Sequence, residues 1–334
     1  MAATSEKIEG SEAKKLCIVV PCFDESEVIR VSARHLQRIL ECCVDRGLAA
    51  RESFILLVDD GSADKTWDII KELHAASSCI DGIRLARNSG HQDALYAGLS
   101  EAIGRADFLV TIDADLQDDP EAIFEMLEKA NSGAEVVLGV RSSRASDSLP
   151  KRLFAGAFYR GARALGVPTV PHHADFRLVT SVALARMLAT NERRIYWRAA
   201  ALTVSDQVET VSYARRERSA GVSKYPAYKM LKLAIEAVLS WSSVPLRAMS
   251  LLGLAVAFAS FLAIIYVVLS LLLDRIVEGW VSVTASLYFL AGVILLGIGT
   301  LGEYVHQILI QVKGRQTFFV SERLIHGTRD GLAP

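Results

Sequence analysis

The sequence predicts an α/β domain, a mostly parallel sheet flanked by helices, followed by a C-terminal two-helix transmembrane hairpin. Three observations predict it. Short runs that are apolar throughout and rich in β-branched residues alternate with stretches of helical period between residues 16 and 140. Two of these runs end abruptly in acid, at Asp59-Asp60 and at Asp113-Ala114-Asp115. Two long runs near the C-terminus, 249–273 and 279–302, carry no charged residue.

Taken in order, residues 16–21 (LCIVVP) read as a buried strand closed by proline. Residues 25–44 read as a helix, with Val28, Val31, Leu36, Ile39 and Leu40 near a 3.6 period. A second strand, 54–58, precedes a helix over 64–73 with Asp64 as a cap. Strands over 83–85, 108–112 and 136–140 alternate with helices over 92–103 and 120–131. In a parallel sheet the acids after the second and fourth strands share one edge, where open α/β sheets place their ligands.

Side chains two apart on a strand point the same way, so Asp113 and Asp115 face one site and Gln117 continues the spacing. Close carboxylates with an oxygen donor suit Mg²⁺ or Mn²⁺; a solvated turn is the plain alternative. Asp59 and Asp60 then accept hydrogen bonds from the base or ribose of a nucleotide. The first strand runs into Pro21-Cys22-Phe23-Asp24-Glu25 rather than a glycine loop, which excludes a dinucleotide-binding Rossmann domain and a P-loop. Gly297-Ile298-Gly299-Thr300-Leu301-Gly302 matches G-x-G-x-x-G, but it lies inside an apolar run and reads as helix packing.

The 334 residues carry a formal charge of −1, so no overall field argues for nucleic acid. Hydrophobic residues make up 51%, with a mean hydropathy of +0.28, and the excess sits near the C-terminus. Five cysteines without a C-x-x-C pair argue for reduced thiols rather than a disulfide framework. The polar N-terminus has no signal-peptide pattern. Lys224, Lys229, Lys232 and Arg247 precede the first apolar run, and Lys313, Arg315 and Arg323 follow the second. The linker 274–278 holds one Arg against two acids. The bias places the large domain and both termini in the cytoplasm, on a multi-pass protein of the inner (plasma) membrane.

The layout expected is a flexible N-terminus (1–15), a catalytic domain (16–224), an interfacial amphipathic helix (225–243), two spans (within 244–303) and a cytoplasmic tail (304–334). Gly292, Gly297 and Gly299 form a small-residue face that permits a homo-oligomer. Arg141 and Arg152 follow the fifth strand. Arg218 and the loop 219–224, with Ser223 and Lys224, precede the interfacial helix. Both groups suit phosphate, whether of a ligand or of lipid headgroups. Asp175 is a lone acid among apolar residues, a catalytic base or a salt-bridged structural aspartate.

Six segments in order carry a resemblance. They are Val20-Pro21-Cys22-Phe23-Asp24-Glu25, Leu57-Val58-Asp59-Asp60-Gly61-Ser62, Arg87-Asn88-Ser89-Gly90, Asp113-Ala114-Asp115-Leu116-Gln117-Asp118, Asp175-Phe176-Arg177-Leu178 and Arg218-Ser219-Ala220-Gly221-Val222-Ser223-Lys224-Tyr225. With them the chain resembles the family 2 glycosyltransferases, and among these the polyprenyl-phosphate glycosyltransferases of the bactoprenol glucosyltransferase and dolichyl-phosphate mannose synthase type.

The resemblance implies a GT-A fold and inverting, metal-dependent transfer of a hexose from a nucleotide sugar, UDP-glucose foremost, to undecaprenyl phosphate. The product is a polyprenyl-phosphate monosaccharide for cell-envelope glycan modification, with a flippase as a downstream partner. It implies that Pro21, Phe23, Glu25, Asp60 and Asp113 hold the nucleotide sugar, and that Asp113, Asp115 and Gln117 hold Mg²⁺ or Mn²⁺. Arg141, Arg152, Arg218, Ser223 and Lys224 would hold donor or acceptor phosphates, and Asp175 and Asp115 are the catalytic acids. Phe23-Asp24 departs from the family's usual Tyr-Asn, and residues 196–208 lack its Gly-aromatic pattern. Two alternatives stand beside this reading. A processive polysaccharide synthase needs a Q-x-x-R-W motif and more spans, and neither is present. A silent membrane scaffold is opposed by the intact Asp60, Asp113, Asp115 and Asp175.

Overall fold

The computed structural model of the protein describes residues 13–142, 173–189, 197–214, 244–272, 279–313 and 316–326. The elements, in order, are β1 (Leu16–Cys22), α1 (Ile29–Asp45), β2 (Phe54–Asp59), α2 (Thr66–Ala76), β3 (Ile80–Leu85), α3 (His91–Ala102), β4 (Phe108–Thr111), α4 (Ala122–Asn131) and β5 (Val136–Arg141). They continue with β6 (His173–Thr180), α5 (Ser181–Ala189), α6 (Trp197–Thr203), β7 (Val208–Tyr213), α7 (Val244–Leu272), α8 (Trp280–Lys313) and β8 (Val320–Leu324). The described residues divide into two units: one holds the sheet and β8, the other α7 and α8.

Every residue of β1, β2 and β4 is buried, because both faces of each strand are covered. Leu16, Ile18 and Val20 of β1, with Ile55 and Leu57 of β2, meet α1, α2 and α4 on one face. Cys17 and Val19, with Leu56 and Val58, meet α3, α5 and α6 on the other. The strand order is β7-β5-β6-β4-β1-β2-β3-β8. The sheet is mostly parallel and helix-flanked, as the unbroken apolar runs predict: β1 to β5 and β7 run one way. The sequence reading left out β6, β7 and β8; β6 and β8 run the other way, while β7 runs with β5.

The β1–β2–β3 run and the β4 side diverge from β1, so the strand order reverses between β1 and β4, where such sheets bind ligands. β4 is also shorter than expected, ending at Thr111, two residues before Asp113. Residues 316–326, expected as part of a tail, supply β8 along the edge of β3. Its Ser321, Glu322 and Arg323 are exposed, the charged pattern that protects an edge strand. Arg323 pairs with Glu101, and Glu322 with Arg84.

In the second unit α7 has 29 residues and α8 has 34, both beyond the roughly 20 needed to cross a bilayer. Among the described residues one helical stretch, Phe289–Lys313, is both long and apolar enough to cross a membrane, and Leu246–Val256 is a shorter apolar stretch. Large apolar side chains such as Leu254, Phe258, Phe289 and Leu295 are exposed along both helices. The expected interfacial helix over 225–243 lies outside the described residues.

All five cysteines are free; Cys17, Cys22 and Cys43 are buried and Cys42 is exposed. Burial pushes the thiols of Cys17 and Cys22 well up and that of Cys43 up to about 12. A thiol-directed maleimide at pH 7.5 is therefore expected to modify Cys42 first and to reach Cys17, Cys22 and Cys43 only on unfolding. Peptide mass spectrometry of timed samples checks this order.

Candidate active site

The site begins with the loops after β1 and β2, which are tied together by short side chains. The N–H of Asp24 donates to Ser62 Oγ (3.0 Å) and that of Glu25 to Thr66 Oγ1 (2.9 Å). The N–H of Ala63 donates to Asp24 Oδ1 (3.0 Å). Asp24 sits in the left-handed region, φ 53°, and this bond back to the neighbouring loop holds it there. The Asp24 carboxylate is thus engaged with backbone. Pro21 is buried within β1, whereas Phe23 is 45% exposed at the rim and Glu25 is half-buried.

Asp59 is fully buried and accepts from the Ser62 N–H, with Arg84 Nε 3.2 Å from its Oδ2. Desolvation raises its pKa against those contacts. Asp60, also buried, accepts from the N–H groups of Ser89 (2.8 Å, Oδ1) and Gly90 (2.9 Å, Oδ2). It therefore anchors the turn that opens α3, with its pKa again raised by desolvation.

Past β4 the chain turns instead of staying extended. The N–H of Leu116 donates to the Asp113 carbonyl, and Leu116 adopts φ 45°. Such a conformation in a branched residue stores about 1–3 kcal/mol, which the surroundings must hold. The Ala114 carbonyl accepts from Ser32 Oγ at 2.6 Å and fixes the turn to α1. Gln117 is buried and reaches Asp115 from the turn, its Nε2 donating to Asp115 Oδ2 at 2.8 Å. The chain thus brings Gln117 to Asp115 through a turn, where the spacing predicted an extended strand.

Asp175 arrives from the antiparallel strand β6. Thr111, the last residue of β4, pairs with Arg177, two residues from Asp175. Arg177, 2% exposed, donates from Nη2 to Asp175 Oδ1 at 2.7 Å, and Thr111 Oγ1 donates to the Asp175 carbonyl. His91, the first residue of α3, places Nε2 3.6 Å from Asp175 Oδ2 and 3.8 Å from Asp113 Oδ1. Desolvation pushes the Asp113 carboxyl up to about 6; His91 pulls it down, and Asp175, Asp118 and Asp115 push it further up. Asp113, Asp115, Asp118 and Asp175 thus lie near one another, and their donors are oxygens. Both properties fit a hard divalent cation held by Asp113, Asp115 and the carboxamide oxygen of Gln117.

Arg141, read as a phosphate ligand, pairs through Nε (2.9 Å) and Nη2 (3.1 Å) with Asp118, which is 2% exposed, beside the phenol of Tyr213. Burial raises the Tyr213 pKa, with Asp118 adding to it. Arg141→Met leaves Asp118 buried without this partner, at an expected cost of about 2–3 kcal/mol. Denaturant unfolding against Arg141→Lys, which keeps charge but not the two-pronged pair, checks it. Arg152, Arg218, Ser223 and Lys224 lie outside the described residues.

The sequence reading missed His91 and gave Arg177 no role. Arg177 was detectable, since it lies two residues from Asp175 and shares its strand face. His91 directly follows the Arg87–Gly90 segment, but only the Asp60 anchor brings the helix start to the acids. A second group, His74, Asp81 and His326, lies where β3 meets the chain after β8. Its atoms are engaged: Asp81 pairs with Arg105 and accepts the His326 N–H, His74 Nδ1 contacts the Ile80 carbonyl, and His326 Nε2 contacts the His74 and Ser77 carbonyls.

A mostly parallel sheet whose order reverses beside β1, with acids gathered past β2, β4 and at the start of β6, defines an α/β enzyme that meets its ligands at the carboxyl edge. Comparison with known proteins identifies the kind. The sequence profile described as "Glycosyl transferase family 2" matches residues 17–187. The chain is 40% identical over 305 residues to an uncharacterized glycosyltransferase, YkoT, of Bacillus subtilis, covering 91% of this chain and 90% of that one. It is 36% identical over 310 residues to the SfII prophage-derived bactoprenol glucosyl transferase of Shigella flexneri, covering 92% and 98%. Among solved structures, glucosyl-3-phosphoglycerate synthase of Mycobacterium tuberculosis matches at TM-score 0.43 and 14% identity, covering 68% of this chain and 78% of that one. The chain belongs to glycosyl transferase family 2. It is a glycosyltransferase.

Proposed function

We propose that the protein transfers a hexose, glucose foremost, from UDP to a polyprenyl phosphate with inversion. The observation that carries the reading is that one imidazole nitrogen, His91 Nε2, stands 3.8 Å from Asp113 and 3.6 Å from Asp175, past the ends of the parallel strands. The acceptor class comes from relatives that are bactoprenol glucosyl transferases over nearly their whole length. In the reaction a phosphate oxygen of the lipid attacks the anomeric carbon. The new C1–O bond forms as the bond from C1 to the UDP β-phosphate oxygen breaks, and UDP takes the electron pair. The acceptor is already anionic, so no strong base is needed. Asp175, charge-compensated by Arg177, orients the sugar or acceptor more than it removes a proton.

Bound by Asp113, Asp115 and Gln117, Mg²⁺ or Mn²⁺ would neutralise the departing diphosphate. Pro21, Phe23, Glu25 and Asp60 shape the nucleotide pocket, with Asp60 also holding the 89–90 turn. The phosphate set is Arg152, Arg218, Ser223 and Lys224, together with Arg141 where its pairing to Asp118 leaves it available. The helices α7 and α8 anchor the protein in the plasma membrane, with the catalytic part and both termini on the cytoplasmic side. The apolar exposure along both helices supports this. The membrane-facing product then requires a flippase, and the glycines of α8 suit pairing between protomers.

The test is transfer of radiolabel from UDP-glucose to undecaprenyl phosphate in detergent, with Mg²⁺ or Mn²⁺ and then with EDTA. Metal-dependent label in the lipid phase is expected. Label that stays in water with every nucleotide sugar tried, from folded protein, would contradict it.

A further inference from the structure

We propose that Arg84 is a positioning residue for the nucleotide end of the donor site, locking the turn after β2 and itself clamped by the strand β8. The inference rests on the nucleotide pocket proposed above.

Three adjacent strands set acid, base and acid side by side. Asp59 of β2 pairs in register with Arg84 of β3, and Arg84 with Glu322 of β8. Asp59 is the last residue of β2 and Arg84 the last but one of β3, so the row stands at the ligand edge of the sheet. The guanidinium, whose donors fan out from one rigid plane, divides them among three partners. Nε stands 3.2 Å from Asp59 Oδ2, Nη2 donates to the Ser62 carbonyl at 3.4 Å, and Nη1 donates to Glu322 Oε1 at 3.4 Å. Arg84 thus grips both ends of the 59–62 turn, inside which the Ser62 N–H donates to Asp59 Oδ1. Desolvation raises the Asp59 pKa, and the Ser62 bonds and Arg84 oppose it.

The turn carries the pocket. Asp60, its second residue, accepts from the Ser89 and Gly90 N–H groups. Ser62, its last, accepts the Asp24 N–H through Oγ and so sets the loop that bears Phe23 and Glu25. Arg84 stands one contact behind that rim. On its other side β8 ties down the backbone: Ser321 Oγ donates to the Arg84 carbonyl at 3.1 Å, and the Ala86 N–H donates to the Phe319 carbonyl at 2.8 Å. The Trp67 ring lies 5.9 Å from the guanidinium and adds a weak cation–π contact. Arg323, the next residue of β8, takes the opposite face and pairs with Glu101 of α3.

The test uses the full chain in detergent and measures two quantities. They are the Kd of radiolabelled UDP with Mn²⁺, by equilibrium dialysis, and initial rates of transfer from UDP-glucose to undecaprenyl phosphate. Arg84→Gln is expected to raise the Kd and the donor KM about 10-fold, the usual effect of losing a supporting partner, with kcat changed less than about twofold. Arg84→Lys, which keeps the charge but not the fork, is expected to recover part of that loss. Glu322→Gln is expected to raise the Kd about 1.5–3-fold, as suits a half-exposed partner. Arg323→Gln breaks the other ion pair of β8 and is expected to leave Kd and KM unchanged.

A lower kcat from Arg84→Gln with Kd and KM at their wild-type values would overturn the inference, because lost stability removes active protein without weakening the nucleotide held by the rest. An Arg323→Gln effect as large as that of Glu322→Gln would also overturn it, since β8 would then act as a whole and not through Arg84. If Arg84→Gln does not fold, Arg84→Lys and Glu322→Gln decide, and an unchanged Kd in both overturns it. A folded wild type that binds no UDP would overturn the nucleotide reading itself. That outcome differs from a wild type and an Arg84→Gln variant that bind UDP equally well, which would sink the role of Arg84 alone.

Discussion

Asp115→Asn is expected to reduce glycosyl transfer by at least about 10²–10³-fold while leaving the fold intact. The substitution is nearly isosteric. Its carboxamide oxygen replaces one of the two Asp115 oxygens that accept from the N–H and Nε2 of Gln117, so the turn past β4 keeps one of those two bonds. What it removes is one negative charge from a group of acids that includes Asp113, Asp118 and Asp175. A cation bound there loses a charged oxygen, and the leaving diphosphate loses the stabilisation that cation supplies. Initial rates across a Mn²⁺ titration, with thermal unfolding alongside, separate this from misfolding. A variant with near wild-type kcat would show that the metal role belongs elsewhere.

The second large effect is expected at Gly61. It adopts φ +66°, and a Cβ there would lie 2.5 Å from the Arg87 carbonyl carbon and 2.7 Å from Asn88 N. Both are backbone, so Gly61→Ala must move the 87–88 segment. That segment leads directly to the Ser89 and Gly90 N–H groups held by Asp60, and then to His91. Conformational strain and overpacking add about 1–3 kcal/mol each. Gly104→Ala is the control, because Gly104 also has a positive φ (+78°) but no atom within 4 Å of its Cβ position. Urea unfolding of the two variants should differ by the clash alone. Gly61→Ala should also lose activity beyond its loss of stability, since the displaced turn carries α3's first residues.

How much of this was legible follows from where each signal is local. Buried parallel strands announce themselves through unbroken apolar runs, so β1, β2, β4 and β5 and the acids at their ends could be read directly. The antiparallel strands could not. β6 opens with His173-Ala174-Asp175 and interrupts its apolar residues with Arg177, which pairs with Asp175 two residues back. β8 reads as a polar tail until it meets β3. The site shows the same divide. Asp113, Asp115 and Gln117 were found from their spacing, although a turn at Leu116 and not strand geometry unites them. That Asp113 and Asp175 share His91 as a neighbour depends on β4–β6 pairing across more than sixty positions. His91 depends on a buried bond from Asp60, and neither is written in local periodicity. Arg141 adds a contact that spacing does not show: it pairs with Asp118, an acid of the protein itself.

The most direct test of the central claim is to locate the cation and the nucleotide. A crystal or cryo-EM structure with UDP and Mn²⁺, using anomalous scattering at the manganese edge where crystals permit, gives the answer in one experiment. The account predicts a single manganese bound by Asp113 or Asp115 oxygens and bridging to the diphosphate, with the nucleotide at the rim formed by Phe23 and Glu25. Manganese at His74, Asp81 and His326 instead, or UDP bound away from the edge past β4, would contradict it.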